Sequence, residues 1–125
     1  MDKSIDLATE RCTACRKDSP RLEPDDLAAM LPAIPGWTVI EVGGVPRLER
    51  VFRFNDFAGP LAFAVQIGAL ADSEGHHPTL LVEWRRLTVS WWTHAIGGLH
   101  RNDPVMAAKT DRLAEESVGP GPGSR

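Results

Sequence analysis

Residues 75–94 read GHHPTLLVEWRRLTVSWWTH, and this pattern predicts two consecutive β-strands. Gly75 suits the end of a preceding helix, and Pro78 favours an extended conformation for the histidine before it. Strands are expected at about 80–85 and 86–93, because both segments are rich in Leu, Val, Thr and Trp. Two strands with so short a link indicate an antiparallel pair. Alternate residues of the second strand fall on opposite faces, with Leu87, Val89 and Trp91 on one and Thr88, Ser90 and Trp92 on the other.

A second pair of strands is predicted upstream of this hairpin. Trp37–Val42 is rich in β-branched residues, and Gly43–Gly44 marks the turn that follows it. The next segment alternates between apolar and charged side chains, as expected for a half-buried antiparallel strand. Its apolar face carries Leu48, Phe52 and Phe54, and its charged face carries Arg47, Glu49 and Arg53.

Three helices are predicted around the two hairpins. The first spans about 24–31, and the second runs from a cap at Asn55 or Asp56 to about Glu74. The third begins at Asp103–Pro104, where an N-cap residue precedes a proline at the first helical position. The order α-β-β-α-β-β-α predicts an α+β fold in which a four-stranded antiparallel sheet carries three helices on one face.

The 125 residues are enough for one domain with its own hydrophobic core. We expect a loosely ordered N-terminal arm at 1–21, a folded domain at 22–118 and a disordered tail at 119–125. The tail reads GPGPGSR, a composition that cannot hold a helix or a strand.

The charge pattern bears on partners and location. A formal net charge of −3 with scattered Lys and Arg argues against nucleic acid as a partner. No stretch approaches the 18 apolar residues of a membrane span, and the first residues lack the apolar core of a signal peptide. We therefore expect a cytoplasmic protein without a membrane partner.

Cys12 and Cys15 form the one C-x-x-C motif. No second Cys or His pair lies at zinc-finger spacing, and no βαβ unit suggests a redox motif. Reduced thiols without a role, a local disulfide and adventitious metal binding all remain open.

All four histidines, His76, His77, His94 and His100, lie within 25 positions, at loops that border strands and helices. Histidine can donate and accept protons near neutral pH, so one interpretation is metal-free acid–base catalysis. A second is a metal centre of three histidines and Asp103, although the helical H-x-x-x-H spacing is absent. A third is that these are ordinary loop and surface residues and that Asp103 is only a helix cap.

The chain resembles the pterin-4a-carbinolamine dehydratases over about residues 22–117, and most closely bacterial members with an N-terminal C-x-x-C arm. In that family an H-H-P follows a helix, an aromatic residue comes six positions later, a T-H ends the next hairpin, and G-L-x-x-x-D opens the last helix. The matching residues here are Gly75–His76–His77–Pro78, Trp84, Thr93–His94, Gly98–Leu99 and Asp103. The sequence departs from the family at His100, where many members have Ser or Thr, and no role carries over to it.

The resemblance implies a hydro-lyase that dehydrates a 4a-hydroxytetrahydropterin without a metal or a cofactor. By the same resemblance His76, His77 and His94 are the catalytic and substrate-orienting histidines, and Asp103 orients an imidazole. It also implies a pterin pocket with further residues at its wall, namely Gly75, Pro78, Trp92, Thr93 and Ala95. Trp84 or Trp92 could flank the flat pterin ring, although a tryptophan in a strand is more often part of the core.

Oligomeric state and a non-catalytic role complete the expectations. The resemblance implies a homodimer or a homotetramer, and the sheet edges of a small α+β domain need protection. The alternative function is a dimerisation or regulatory binding protein of the same fold, as some family members are. The residues do not assign acid and base among the histidines, and they do not identify the physiological pterin.

Overall fold

The structure, a computed structural model, describes residues 6–14 and 16–117. Four strands and three α-helices follow one another in the predicted order, so the α+β class and the α-β-β-α-β-β-α order are confirmed. The strands are β1 (Thr38–Val42), β2 (Val45–Arg53), β3 (Thr79–Glu83) and β4 (Arg86–Trp91). The helices are α1 (Pro24–Met30), α2 (Ala58–Glu74) and α3 (Asn102–Ser117), with short 3-10 turns at Leu7–Thr9, Leu31–Ala33 and His94–Ile96.

The strands form one antiparallel sheet in the order β1-β2-β4-β3. The register between β2 and β4 puts Leu48 opposite Trp91 and Phe52 opposite Leu87, so the predicted apolar residues share one face. All four side chains are fully buried. Helix α2 covers this face through Phe63, whose ring meets the Phe52 ring edge-on at 5.2 Å between centroids. This layer of helices on one face of the sheet leaves the other face open.

The turn between β3 and β4 ends the strand earlier than the sequence predicts. Residues Trp84 and Arg85 form the turn, and Arg85 has a φ of 70°, in the left-handed region. Turn residues in the left-handed region are usually glycine or asparagine, and an arginine there is uncommon. The sequence has neither glycine nor asparagine at this position, so it gives no signal for the turn. Trp84 is exposed there, with the Arg85 guanidinium 5.2 Å from its ring centroid.

The described part of the N-terminal arm packs against α3. Leu7 is fully buried in the core, and Lys109 donates from Nζ to the backbone oxygen of Ala8 at 2.9 Å. Asn102 exchanges hydrogen bonds with the backbone of Thr13 in both directions. One leucine in a polar segment has no periodicity, which is why the sequence carries no signal for this contact. The domain limits at 22 and 118 stay predictions, and the tail 119–125 lies outside the described residues.

The helix starts differ in detail from the predicted ones. Helix α2 begins at Ala58, and the Asp56 carboxylate accepts the Gly59 N–H at 2.9 Å, so Asp56 serves as a cap. Helix α3 begins at Asn102 rather than after Asp103, so the prediction of Asp103 as an N-cap is wrong. Among residues 6–14 and 16–117 no helix is both long enough and apolar enough to cross a membrane.

Candidate functional site

Asp103 is the centre of a buried hydrogen-bond cluster that joins three loops. Its side chain is inaccessible to solvent, yet both carboxylate oxygens are satisfied. Oδ1 lies 2.7 Å from Nε2 of His76. Oδ2 accepts the Thr93 hydroxyl at 2.7 Å and the backbone N–H of His100 at 2.9 Å. We call Asp103, His76, Thr93 and His100 the Asp103 cluster.

The Asp103 carboxylate determines which nitrogen of His76 carries a proton. An ionised carboxylate has only acceptor atoms, so Nε2 of His76 donates and Nδ1 holds the lone pair of the neutral ring. The imidazole is buried and lies parallel to the Trp91 ring, with 5.9 Å between centroids and 9° between planes. His76 is therefore a buried imidazole whose orientation is fixed by the Asp103 carboxylate and the Trp91 ring.

Local backbone features bring these residues together. Helix α2 ends at Gly75, whose φ of 68° and ψ of 27° turn the chain sharply, and the next N–H, that of His76, bonds to the oxygen of Ala71. A side chain other than glycine would be strained at this φ. Thr93 follows β4 and is held by a bridge to Gly98, whose oxygen accepts the Thr93 N–H at 2.8 Å.

His77 and His94, the other two predicted catalytic histidines, lie at the surface and outside the Asp103 cluster. The His77 side chain is 59% exposed, and its Nε2 is 2.9 Å from the carboxylate of Asp72, which is also exposed. The His94 ring is exposed and packs on the Trp92 ring, with centroids 4.3 Å apart. The structure thus unites His76 with Asp103 and keeps His77 and His94 accessible to a ligand.

His100 has a structural role that the sequence did not reveal. Its Nδ1 accepts the N–H of Asn102 at 3.0 Å, so the ring caps the start of α3. Burial lowers the pKa of the His100 imidazole, with Asp103 partly opposing the shift. The resemblance offered one indirect signal for this role. Many family members have Ser or Thr at this position, and both residues commonly cap helices.

The remaining predicted pocket residues flank these side chains. Gly75 and Pro78 border the His76–His77 pair, and Ala95 follows His94. Trp92 is half-buried on the open face of the sheet, beneath the Arg47 guanidinium at 3.7 Å from the ring centroid. Within the described ranges no group of three His, Cys, Asp or Glu side chains is placed to hold a metal ion.

A protein-family model matches most of the described part of the chain. The family model described as pterin 4 alpha carbinolamine dehydratase matches residues 20–113, three quarters of the chain. The chain belongs to this dehydratase family. The match covers the whole sheet, all three α-helices up to residue 113 and every member of the Asp103 cluster.

Similar bacterial proteins extend the match to most of the chain. A protein of Gloeobacter violaceus is 55% identical over 112 residues, which cover 90% of this chain and 97% of the relative. A protein of Nitrosococcus oceani is 50% identical over 108 residues, with coverage of 86% and 96%. Both bear the name "putative pterin-4-alpha-carbinolamine dehydratase", with the number 1 added for the former.

Two solved structures have related folds. The crystal structure of a transcriptional coactivator/pterin dehydratase from Brucella melitensis has a TM-score of 0.67 and 30% identity, covering 76% of this chain and 99% of its own. A pterin dehydratase-like protein identified as a RuBisCO assembly factor in the alpha-carboxysome has a TM-score of 0.53 and 24% identity, covering 66% and 93%. The second likeness shows the fold alone. The dehydratase fold therefore occurs in proteins whose names state different roles.

Proposed function

We propose that this family member dehydrates 4a-hydroxytetrahydrobiopterin to quinonoid dihydropterin and water, as a step in tetrahydrobiopterin recycling. The observation that carries the proposal is the contact of 2.7 Å between His76 Nε2 and the buried Asp103 carboxylate. A carboxylate that orients an imidazole in this way prepares it for proton transfer. The family match supports the choice of pterin chemistry.

The reaction requires two proton transfers. Hydroxide is a poor leaving group, so an acid protonates the oxygen on C4a and the C–O bond breaks to release water. The N5 lone pair supplies the electrons that form the C=N bond, and a base then removes the proton from N5. Two imidazoles, one neutral and one protonated, can perform both transfers, and each typically contributes roughly 10²–10⁴-fold.

In this proposal His76, His77 and His94 perform the proton transfers and orient the pterin, and Asp103 holds His76. The rigid setting of His76 suits a residue that must keep one nitrogen in place, whereas the exposure of His77 and His94 suits groups that meet the substrate. We assign the wall of the pterin pocket to residues on either side of these histidines. These are Gly75, Pro78, Trp92, Thr93 and Ala95.

The proposal is tested by following dehydration of 4a-hydroxytetrahydrobiopterin generated in situ, with and without EDTA. The protein should accelerate the reaction above its spontaneous rate, and the acceleration should survive EDTA. His76→Ala, His77→Ala and His94→Ala should each lower the rate with an unchanged circular dichroism spectrum. A wild-type rate equal to the spontaneous one would reject the proposal, and loss of rate with EDTA would favour a metal site.

We also propose that the chain forms a homodimer or a homotetramer in solution. Helix α2 exposes Leu61 and Val65, which are 49% and 68% accessible and lie one turn apart on the same face. Strands β1 and β3 are the edges of the sheet, and an edge strand needs a cover. Light scattering at micromolar concentration should give a mass above 13.7 kDa, and a stable monomer would contradict it.

A second candidate function is a binding protein that uses the same α2 face for another protein. The exposed Leu61 and Val65 support it, as does the likeness to the Brucella melitensis protein, which is named a transcriptional coactivator as well as a pterin dehydratase. A Val65→Lys variant separates the two candidates. Undiminished dehydration in that variant would leave the pterin site as the function, whereas absence of dehydration in the wild type would favour the binding protein.

A further inference from the structure

The N-terminal arm contacts both helix ends that lead to the buried pair His76–Asp103. Helix α2 ends at Glu74, two residues before His76, and helix α3 begins at Asn102, one residue before Asp103. Residues 8–13 of the arm, which we call the arm segment, form hydrogen bonds with both of these helix-end residues. The arm segment therefore connects the two places in the chain that present the imidazole and its carboxylate.

Glu74 is the point of contact on α2. Its side chain is 9% exposed, and its carboxylate accepts the backbone N–H of Cys12 at 3.0 Å. Nζ of Lys109, on α3, lies 3.7 Å from the same carboxylate and donates to the backbone oxygen of Ala8 at 2.9 Å. The hydrogen bond from Cys12 lowers the pKa of the Glu74 carboxyl, although burial opposes the shift. Glu74 is therefore ionised at neutral pH and joins the end of α2 to the arm segment and to α3.

Asn102 is the point of contact on α3. Its side chain is buried, and its Oδ1 accepts the backbone N–H of Thr13 at 3.0 Å while its Nδ2 donates to the backbone oxygen of Thr13 at 2.8 Å. The preceding residue, Arg101, donates to both carboxylate oxygens of Glu10, at 2.9 and 2.6 Å. Two bonds at each residue fix direction as well as distance. The arm segment therefore holds the two residues that immediately precede Asp103.

The contact between His76 and Asp103 depends on the relative position of α2 and α3. The two residues are 27 positions apart and follow different helix ends, yet Nε2 lies 2.7 Å from Oδ1. A hydrogen bond weakens steeply as its distance and angle depart from the optimum. A displacement of the end of α2 from the start of α3 would therefore weaken this bond, and the arm segment opposes such a displacement because it is bonded to both.

We propose that the arm segment positions His76 against Asp103, and that it acts through Glu74 and Asn102. The inference rests on the proposed function and adds Glu74 and Asn102 to it as positioning residues. Both act through the backbone that leads to His76 and Asp103, and neither is assigned a contact with the pterin. A small misplacement of a catalytic group by a change outside the reacting centre can lower the rate substantially.

The alternative is that the arm segment only stabilises the fold, and two variants serve as controls. Asp111→Asn weakens another contact of α3, the one that joins it to Arg50 on β2. A general loss of stability would affect the site in Asp111→Asn as it does in Glu74→Ala and Asn102→Ala. Glu74→Gln is the conservative control, because the amide keeps an oxygen that can accept the Cys12 N–H.

The first test is NMR spectroscopy of the full-length protein labelled with ¹⁵N-histidine. The Nε2–H of His76, assigned by its absence in His76→Ala, should exchange slowly with water in the wild type because it is buried and bonded to Asp103. In Glu74→Ala and Asn102→Ala this exchange should be about tenfold faster, since the pair opens more often. Asp111→Asn and Glu74→Gln should keep the slow exchange of the wild type.

The second test is steady-state dehydration by the same variants, with the rate expressed per folded molecule. Glu74→Ala and Asn102→Ala should lower kcat about tenfold with little change in KM, because a displaced imidazole impairs proton transfer more than pterin binding. Glu74→Gln and Asp111→Asn should stay within about threefold of the wild-type kcat, since neither displaces His76. Recovery in Glu74→Gln would show that the bond to the arm segment matters and the charge does not.

The inference is overturned if His76 shows no slowly exchanging ring N–H in the wild type, if both alanine variants keep it, or if Asp111→Asn loses it equally. Variants that lose the slow exchange yet keep the wild-type kcat would also overturn it. If neither alanine variant folds by circular dichroism, Glu10→Ala decides, and an unaltered exchange rate there rejects the inference. A wild type that does not accelerate dehydration would reject the proposed function, and the NMR experiment would still decide whether the arm segment holds His76.

Discussion

Helix α3 carries two carboxylates, Asp103 and Asp111, that are removed from water in different ways. Asp111 accepts from a permanent cation, Arg50, at 2.6 Å, and from the indole N–H of Trp37 at 2.9 Å. Burial still raises the pKa of the Asp111 carboxyl, with Trp37 and Arg50 opposing the shift. Asp103 is buried more completely and accepts from a histidine, a hydroxyl and a backbone N–H.

The two carboxylates differ in the side chain that is their main partner, arginine for Asp111 and histidine for Asp103. Arginine does not lose its proton in proteins, so the Arg50–Asp111 pair can only hold the sheet against the helix. The partner of Asp103 at Oδ1 is instead an imidazole, whose two ring nitrogens can donate and accept hydrogen bonds. The proposed function therefore uses Asp103, whose partner is an imidazole, and assigns Asp111 to stability.

Asp103→Asn should have the largest effect on activity. Asparagine has an NH₂ group in place of one of the two carboxylate oxygens. This group replaces either the oxygen that faces Nε2 of His76 or the oxygen that accepts two hydrogen bonds. In both orientations hydrogen bonds of the Asp103 cluster break, and the orientation of His76 is lost. We expect dehydration to fall by about 10² or more, measured as the initial rate above the spontaneous reaction. Asp111→Asn is the matched control on the same helix and should change the rate by less than about threefold. Equal losses in both variants would show that α3 matters only for folding.

Asp111→Ala should have the largest effect on stability. It leaves the Arg50 guanidinium and the Trp37 N–H unpaired in a site where the ion pair is about four-fifths buried. We expect the free energy of unfolding in urea to fall by roughly 2–4 kcal/mol. The double variant Arg50→Met with Asp111→Leu should lose less than the single variant, since no charge is then buried alone. A larger loss in the double variant would mean that the pair itself is a net source of stability.

Thr93→Val should have an intermediate effect on both turnover and the free energy of unfolding. It removes the hydroxyl that donates to Oδ2 of Asp103 and adds a methyl group of similar size in a fully buried position. We expect a loss of roughly 1–2 kcal/mol in the free energy of unfolding and a severalfold loss of turnover. Thr93→Ser keeps the donor and should restore most of the turnover. A serine variant as slow as the valine variant would contradict the positioning role of the hydroxyl.

His100 should produce the smallest effect, a pH dependence of stability. Burial lowers the pKa of its imidazole below the ordinary value of 6.5. As the pH falls below about 6.5 the unfolded chain therefore takes up a proton that the folded one does not, and the free energy of unfolding decreases. His100→Asn keeps an acceptor for the Asn102 N–H and removes the titration. Urea unfolding at pH 7.5 and 5.5 should show a smaller decrease for His100→Asn than for the wild type, and an equal decrease would exclude His100 as its source.

Much of the fold follows from local sequence patterns. The alternation of Leu48 and Phe52 with charged residues predicts the buried face of β2, and glycine and proline signals predict the ends of the helices within a few residues. The burial of Leu7 and the left-handed turn at Arg85 could not be predicted, because neither has a periodic or compositional signal. Both depend on residues distant in sequence or on the twist of a completed hairpin.

For the site, the sequence by itself determined which residue types can move protons. It also determined that these residues cluster between residues 76 and 103. The H-H-P and T-H motifs within this segment resemble those of one family. Only the tertiary structure decided their surroundings. It brings His76 to Asp103 across 27 positions, leaves His77 and His94 exposed, makes His100 a helix cap and stacks Arg47 on Trp92. The reason is physical: a hydrogen bond or a stacked ring depends on distance and direction in space, and residues far apart in the sequence acquire these only when the sheet and the helices pack.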